Sequence, residues 1–375
     1  MKILLAGGGT GGHFYPIIAV AESIKKIVKG EKFVDVEMYF MSPSPYDERL
    51  LFENGILFKR SYAGKIRNYF SVKNIFDYVK TAVGVAKAVI DVWSIYPDVV
   101  FGKGGYASFP ALFAAKLLKI PVVIHESDSK PGRVNAWAGK FAKRIAVSYE
   151  SAAQYFPEGK VAHTGNPVRP EIMDPITNDH GKFFGLEDNS PAIFIIGGSQ
   201  GSKKINESVI DVLPELIEDY SVIHQTGKGN FKEVSETVEV VLKGNPRKNR
   251  YKPLPYLNIL ALRMAAGASS LVISRAGSAI FEIALWKKPS IIIPIPEEVS
   301  HDQTSNAFAY ASTGACSVIE ETNLTPHVLL AEIRRILENQ ALSAKMIAAT
   351  SAFAVRDAAD KIAREIINIA LSHES

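Results

Sequence analysis

At 375 residues the chain exceeds what one hydrophobic core serves, so two domains are expected; 47% hydrophobic and 22% charged residues exclude a disordered or fibrous protein. A net charge of +4 without a clustered basic, aromatic-interleaved face argues against nucleic acid as a partner. The single cysteine, Cys316, excludes an internal disulfide and suits a reducing cytoplasm, and neither a secretory leader nor an apolar run of about eighteen residues is expected to be present.

The chain opens MKILLAGGGTGGHFYPII. Residues 3–6 predict a buried strand that breaks at Gly7-Gly8-Gly9-Thr10-Gly11-Gly12. His13 then opens a helical pattern through Ile17, Ile18, Val20, Ala21 and Ile24. Strand, glycine turn and helix together form an anion-binding layout: backbone N–H groups approach closely, and the helix N-terminus behind them carries about half a positive charge. Gly7, Gly9 and Gly12 also fit the G-x-G-x-x-G spacing of dinucleotide folds, with Asp35 or Glu37 as the acid. This stretch alone leaves open a nicotinamide or flavin enzyme, a nucleotide-sugar enzyme and a purely structural turn.

Apolar runs then alternate with helical patterns. Strands are predicted at 3–6, 34–41, 99–101, 122–125 and 145–147, and again at 192–196, 221–226, 271–274, 291–294 and 317–319. Such alternation means right-handed βαβ units and parallel sheets. Around 164–192 the pattern lapses into Gly165-Asn166-Pro167-Val168-Arg169-Pro170 and a polar stretch, which predicts a joint between domains of 1–164 and 165–349. The second half restarts like the first, with 193–196 running into Gly197-Gly198-Ser199-Gln200-Gly201-Ser202, and a third glycine element, Gly102-Lys103-Gly104-Gly105-Tyr106, follows the strand at 99–101. Two nucleotide-fold halves imply a cleft that both glycine turns face.

GGTGGH at 8–13, GGYASFP at 104–110, HES at 125–127, GNPVR at 165–169, GGSQGS at 197–202, SRAGS at 274–278 with Glu282, and HDQTSNA at 301–307 follow one another in order. As a set they resemble the MurG family of N-acetylglucosaminyltransferases, within glycosyltransferase family 28, over roughly residues 1–330. The resemblance implies the GT-B architecture, α/β with two Rossmann-like domains whose parallel sheets face across a cleft, and a C-terminal helix, at about 350–375, that returns to the first domain. It implies inverting transfer of N-acetylglucosamine from UDP-GlcNAc to the muramoyl 4-hydroxyl of undecaprenyl-pyrophosphoryl lipid I, at the cytoplasmic face of the cell membrane. A related transferase acting on another lipid, such as diacylglycerol, and a Rossmann oxidoreductase are the alternatives.

The resemblance assigns donor contacts to Thr10, Gly11, Gly12, Asp128, Arg169, Ser199, Leu257, Arg275, Gly277, Ser278, Glu282 and Gln303. Glu282 would accept from the ribose hydroxyls, Leu257 would read uracil through its backbone, and Gln303 would bind the sugar. Arg169 suits a phosphate but, flanked by prolines, equally suits pinning the linker. Gly11, Gly12, Gly104, Gly105 and Tyr106 would hold the acceptor pyrophosphate. The chain departs from the family at Asp128, where the motif H-E-x-N ends in asparagine, and at Asp302-Gln303, where many members carry two glutamines.

His13 is the candidate base, because the positive end of its helix should favour the neutral imidazole; the alternative is that it only bonds a phosphate or a carbonyl. His125 is a second candidate base, although a histidine at a strand end beside Glu126 is more often structural. No Asp-x-Asp occurs, so no protein-ligated metal and no cofactor are expected; the leaving group's charge would fall on helix N-termini and on Arg169 or Arg275.

Residues 61–96 carry Phe70, Val72, Ile75, Phe76, Val79, Val83, Ala86, Val89, Ile90 and Trp93 at helical spacing, with Lys73, Lys80 and Lys87 recurring every seven residues along one side. This is either an interfacial surface for anionic lipid or an ordinary core helix with a solvated lysine face. Residues 344–371 read as a surface helix without chemistry.

Overall fold

The computed structural model describes residues 1–31, 35–64, 72–186, 190–198, 201–297 and 303–373. They form two compact units, Met1–Arg169 with Val355–Ser375, and Pro170–Ala354. Each is a Rossmann-like unit built on its own parallel sheet.

The first unit has seven strands: β1 (Lys2–Ala6), β2 (Glu37–Ser42), β3 (Ile56–Arg60), β4 (Val99–Gly102), β5 (Val122–Glu126), β6 (Arg144–Val147) and β7 (Val161–His163). Their order is β3-β2-β1-β4-β5-β6-β7. β1 pairs with β2 on one side and with β4 on the other, Ile3 opposite Val99 and Leu5 opposite Phe101, so the strand order reverses at β1/β4. Ligands of open α/β sheets bind beyond the carboxyl ends of the strands at such a reversal. The central strands are apolar and buried, as strands covered on both faces must be.

The second unit has six: β8 (Ala192–Ile196), β9 (Ser221–Gln225), β10 (Tyr251–Leu254), β11 (Ser269–Ser274), β12 (Ser290–Ile292) and β13 (Cys316–Val318), ordered β10-β9-β8-β11-β12-β13. Its reversal lies at β8/β11.

Three strands go beyond the sequence reading: β3, β7 and β10. All are sheet edges. An edge strand has one neighbour and a partly wet face, so its sequence need not be a continuous apolar run; β10 even carries Pro253, tolerated because an edge has spare backbone groups. The polar stretch after Pro170 packs on the second unit: Trp286 Nε1 donates to the Ile172 carbonyl at 2.7 Å, and Ile176 N–H to the Arg263 carbonyl at 3.0 Å.

The C-terminal segment corrects the expectation of a surface helix over 344–371. It forms two helices, Gln340–Ala349 in the second unit and Ala358–His373 in the first. Ile362, Ile366, Ile367, Ile369 and Ala370 of the latter sit in the first unit's core with Ile17, Ile18 and Ile24. Polar ties frame the contact: Ser23 donates to Asp360, Arg364 pairs with Glu31 at 3.0 Å and Arg144 with Glu365 at 2.8 Å.

Candidate active site

In the first unit three loops leave the carboxyl ends of β1, β4 and β5. After β1 the chain turns through Gly8 and Gly9, both at positive φ, into the helix Gly11–Glu31. The Thr10 carbonyl accepts from His13 N–H at 3.2 Å and Phe14 N–H at 3.1 Å, which leaves Gly11 and Gly12 to supply first-turn N–H donors. After β4, Gly104 and Gly105 also have positive φ; a Cβ on Gly105 would meet His13 Nε2 at 3.2 Å, so glycine is required twice over. Tyr106 lies beside Gly9. Gly11, Gly12, Gly104, Gly105, Tyr106 and His13 are therefore one constellation at the β1/β4 reversal.

The His13 imidazole is driven down to about 4, chiefly by burial and then by the Lys103 ammonium. The sequence reading named the helix terminus as the cause. The neutral form is as expected, but desolvation and a lysine produce it.

At the end of β5, the Glu126 carboxylate accepts from Asp128 N–H at 3.0 Å, Gly132 N–H at 3.1 Å and Asn135 Nδ2 at 2.9 Å, fixing the loop that presents Asp128. His125 is fully buried, its Nε2 within 3.1 Å of the Gly165 carbonyl and 3.2 Å of Ser148 Oγ, a structural placement. Lys103, Asn135 and Asn166 escaped sequence reasoning; a lysine between glycines just past a buried strand was the available signal. Arg169 closes the unit, buried, with its guanidinium over the Tyr15 ring at 4.3 Å.

In the second unit, loops after β8 and β11 flank the β8/β11 reversal. Ser202 caps the helix Lys203–Asp219, its Oγ accepting from Ile205 N–H at 3.3 Å, and Gly201 has positive φ with no room for a Cβ against the Thr226 carbonyl. After β11, Arg275 Nη2 donates to Ser202 Oγ at 2.6 Å and Nη1 to the Ile293 and Pro294 carbonyls at 3.1 and 3.2 Å; Glu321 completes an ion pair. The guanidinium proposed for a phosphate is thus engaged by protein groups that tie the β8, β11 and β12 loops together. Gly277 and Ser278 precede the helix Ala279–Leu285, which carries Glu282 in its first turn. Gln303 Oε1 accepts from Ile295 N–H at 3.2 Å, leaving its amide nitrogen as the end that can donate to a hydroxyl. The Leu257 side chain is buried. Ser199 and Asp302 lie outside the described residues.

The model of the glycosyltransferase family 28 N-terminal domain matches residues 3–147, and that of the C-terminal domain residues 192–362. A Bacillus cereus UDP-N-acetylglucosamine–N-acetylmuramyl-(pentapeptide) pyrophosphoryl-undecaprenol N-acetylglucosamine transferase is 35% identical over 345 residues, 90% of this chain and 92% of the relative. The chain belongs to glycosyltransferase family 28. A Treponema denticola protein of the same name is 34% identical over 88% of this chain and 87% of its own length. The crystal structure of Acinetobacter baumannii MurG superposes with a TM-score of 0.72 at 25% identity, covering 98% of this chain and 99% of that one. A Neisseria meningitidis UDP-GlcNAc 2-epimerase bound to UDP-GlcNAc shares the fold, with a TM-score of 0.69 at 15% identity over 98% of this chain and all of its own. The oxidoreductase alternative falls with the transferase's family membership. Among its described residues no group of three or more His, Cys, Asp or Glu side chains could hold a metal ion, and no helix is long and apolar enough to cross a membrane.

Proposed function

We propose that the transferase moves N-acetylglucosamine from UDP-GlcNAc to the 4-hydroxyl of the muramoyl pentapeptide on undecaprenyl pyrophosphate, forming the disaccharide lipid precursor of peptidoglycan. The observation that carries this reading is the placement of the family's motifs. Each described one lies at the carboxyl end of a strand or in the loop and helix start that follow it, and the glycine loops border the β1/β4 and β8/β11 reversals.

On the acceptor side, backbone N–H groups of Gly11, Gly12, Gly104 and Gly105 hold the lipid pyrophosphate. The neutral His13 imidazole takes the proton of the 4-hydroxyl as that oxygen bonds the sugar C1 and the C1–O bond to UDP breaks, with inversion. On the donor side, the diphosphate charge falls on backbone N–H groups at Gly201-Ser202 and 275–279, which Arg275 holds in register. Glu282 accepts from the ribose and Gln303 donates to the sugar. We assign no protein-ligated metal to this step; any divalent ion entering with the nucleotide would be carried by its phosphates.

A lipid acceptor also calls for a membrane surface, and the helix Val72–Ile95 supports one. Its stripe Val79, Val83, Ala86, Ile90 and Trp93 faces outward, with Ile90 66% and Trp93 67% exposed, while Gly84, Ala88, Val92 and Ile95 turn inward. Leu117, on the neighbouring helix Phe109–Leu117, is also exposed. An outward apolar stripe beside Lys80 and Lys87 fits peripheral docking on anionic lipid at the cytoplasmic face rather than a core helix. Phe70 lies outside the described residues.

Incubation of the full chain with labelled UDP-GlcNAc and the muramoyl pentapeptide lipid, followed by extraction, tests the reaction: a labelled disaccharide lipid is expected, and label confined to free sugar or nucleotide would refute it. Vesicle sedimentation with a Lys73/Lys80/Lys87→Glu variant tests docking, binding to anionic vesicles being expected to drop.

A further inference from the structure

Among the described residues the buried charged side chains, apart from histidines, are Lys103, Glu126 and Arg169, and Lys103 is the deepest at 1% exposure. It lies immediately after β4, in the loop that carries Gly104 and Gly105. Its ammonium donates to the Ser127 hydroxyl and, at 3.4 Å, to Asn166 Oδ1. The ionisable groups that act on it or feel it are Glu126, the last residue of β5, Asp128 from the loop that follows, His125 within β5, and His13 at the start of the first helix.

Burying a cation with no counter-charge is costly, and one that persists at the centre of a site is held by what surrounds it. Here burial pulls the ammonium down to about 8, while Glu126 and then Asp128 act to keep it charged. The Glu126 carboxyl is itself pushed up to about 7 by burial and by the Asp128 charge. Two carboxylates two residues apart at the end of β5 repel each other, and the Lys103 ammonium is the positive charge that both feel. Asp128 is also the position where the motif H-E-x-N ends in asparagine.

We propose that Lys103 is a positioning residue of the transferase: bonded to Ser127 and Asn166, its ammonium ties the glycine loop after β4 to the end of β5 and the loop that follows, where an electrostatic pairing with Glu126 and Asp128 balances their charge beside His13. The same ammonium disfavours a proton on His13 and so links the pair to the candidate base. Loss of the cation alone would leave the Asp128 and Glu126 charges opposed without compensation, and removing the Asp128 charge as well would relieve that.

The proposal rests on the transferase reading, and turnover by the native chain checks that reading first. The test measures kcat, KM and the pH dependence of kcat for the native full chain, Lys103→Met, Asp128→Asn and the double variant. Lys103→Met is expected to lower kcat by about tenfold or more, and the double variant to recover about threefold or more over Lys103→Met, since groups in one network are not additive. The acid limb of Lys103→Met should move upward, because His13 loses a positive neighbour. Effects that simply multiply, or an acid limb that stays in place, would overturn the pair. Should Lys103→Met fail to fold, or the native chain prove inactive, a lysine side-chain NMR titration of Asp128→Asn decides: the Lys103 ammonium should lose its proton at lower pH than in the native chain, and an unchanged titration refutes the pairing.

Discussion

Arg275 Nη2 lies 2.6 Å from Ser202 Oγ, so the turn after β11 is fastened to the residue that starts the helix after β8. One hydroxyl therefore caps a helix and receives a guanidinium, on the two loops that border the β8/β11 reversal. Arg275→Ala is expected to raise KM for UDP-GlcNAc by about tenfold or more, a hydrogen bond to a charged group being worth ~1.5–3 kcal/mol. Ser202→Ala should also lower unfolding stability by about 1 kcal/mol through the lost cap. Steady-state kinetics and urea unfolding read both, and an Arg275→Ala enzyme with unchanged KM would disprove the tie.

His13→Asn is expected to lower kcat by about 10²–10⁴ at saturating substrates, the usual range for a general base. Protonation inactivates a base, so the native acid limb should fall near the His13 value of about 4 and not at the ordinary 6.5. A loss under tenfold would leave His13 as a phosphate or carbonyl contact only.

Gly105→Ala combines a left-handed φ of 72° with a Cβ 3.2 Å from His13 Nε2. Strain of ~1–2 kcal/mol and displacement of the imidazole should appear together, as a lowered melting temperature and a reduced kcat. Gly132→Ala, in a position with open space and negative φ, serves as the control and should change stability little.

Acid stability should follow the buried imidazoles. His13, His125 and His224 are all held below their ordinary value, first by burial; His224, bonded to Tyr251 and Asn206, falls to about 3. Unfolded imidazoles bind protons below about 6.5 while these stay neutral, so stability is complete above that pH and is lost as pH falls toward 3–4. Chemical unfolding between pH 7 and 4 should register the decline, and a His224→Gln variant, though weaker at pH 7, should decline less steeply.

Ile90→Gln with Trp93→Gln should weaken binding to anionic vesicles by about tenfold or more, since burying such side chains is worth ~1.5–3 kcal/mol each. Turnover on a short-chain, water-soluble acceptor should be nearly unchanged. Equal losses on both acceptors would move these residues from docking to folding.

Much of the architecture is legible in the sequence, because central parallel strands must be apolar throughout and the turns that follow them must be glycine. Ile3, Val99 and Ile193 mark strands for the first reason, Gly8, Gly105 and Gly201 mark turns for the second. The edges β3, β7 and β10 escaped because one-sided pairing relaxes both demands. Within the site, His13 stands out by its place behind the glycine turn, and Glu282 only through the family resemblance. Lys103 does not, because a lysine in a glycine loop reads as solvated until Ser127 and Asn166 are seen to enclose it. The exposed stripe through Ile90 and Trp93 has the same period as a core face, and only the fold reveals which way it looks.

The return of Ala358–His373 to the first unit makes that unit discontinuous along the chain. During synthesis its nascent sheet waits, with Ile17, Ile18 and Ile24 uncovered, until the whole intervening unit has left the ribosome and Ile362 and Ile366 arrive. A truncation that removes Ile362 to Ala370 therefore strikes the interior of the amino-terminal unit, and the half-made protein is the form in which this enzyme is most exposed to aggregation.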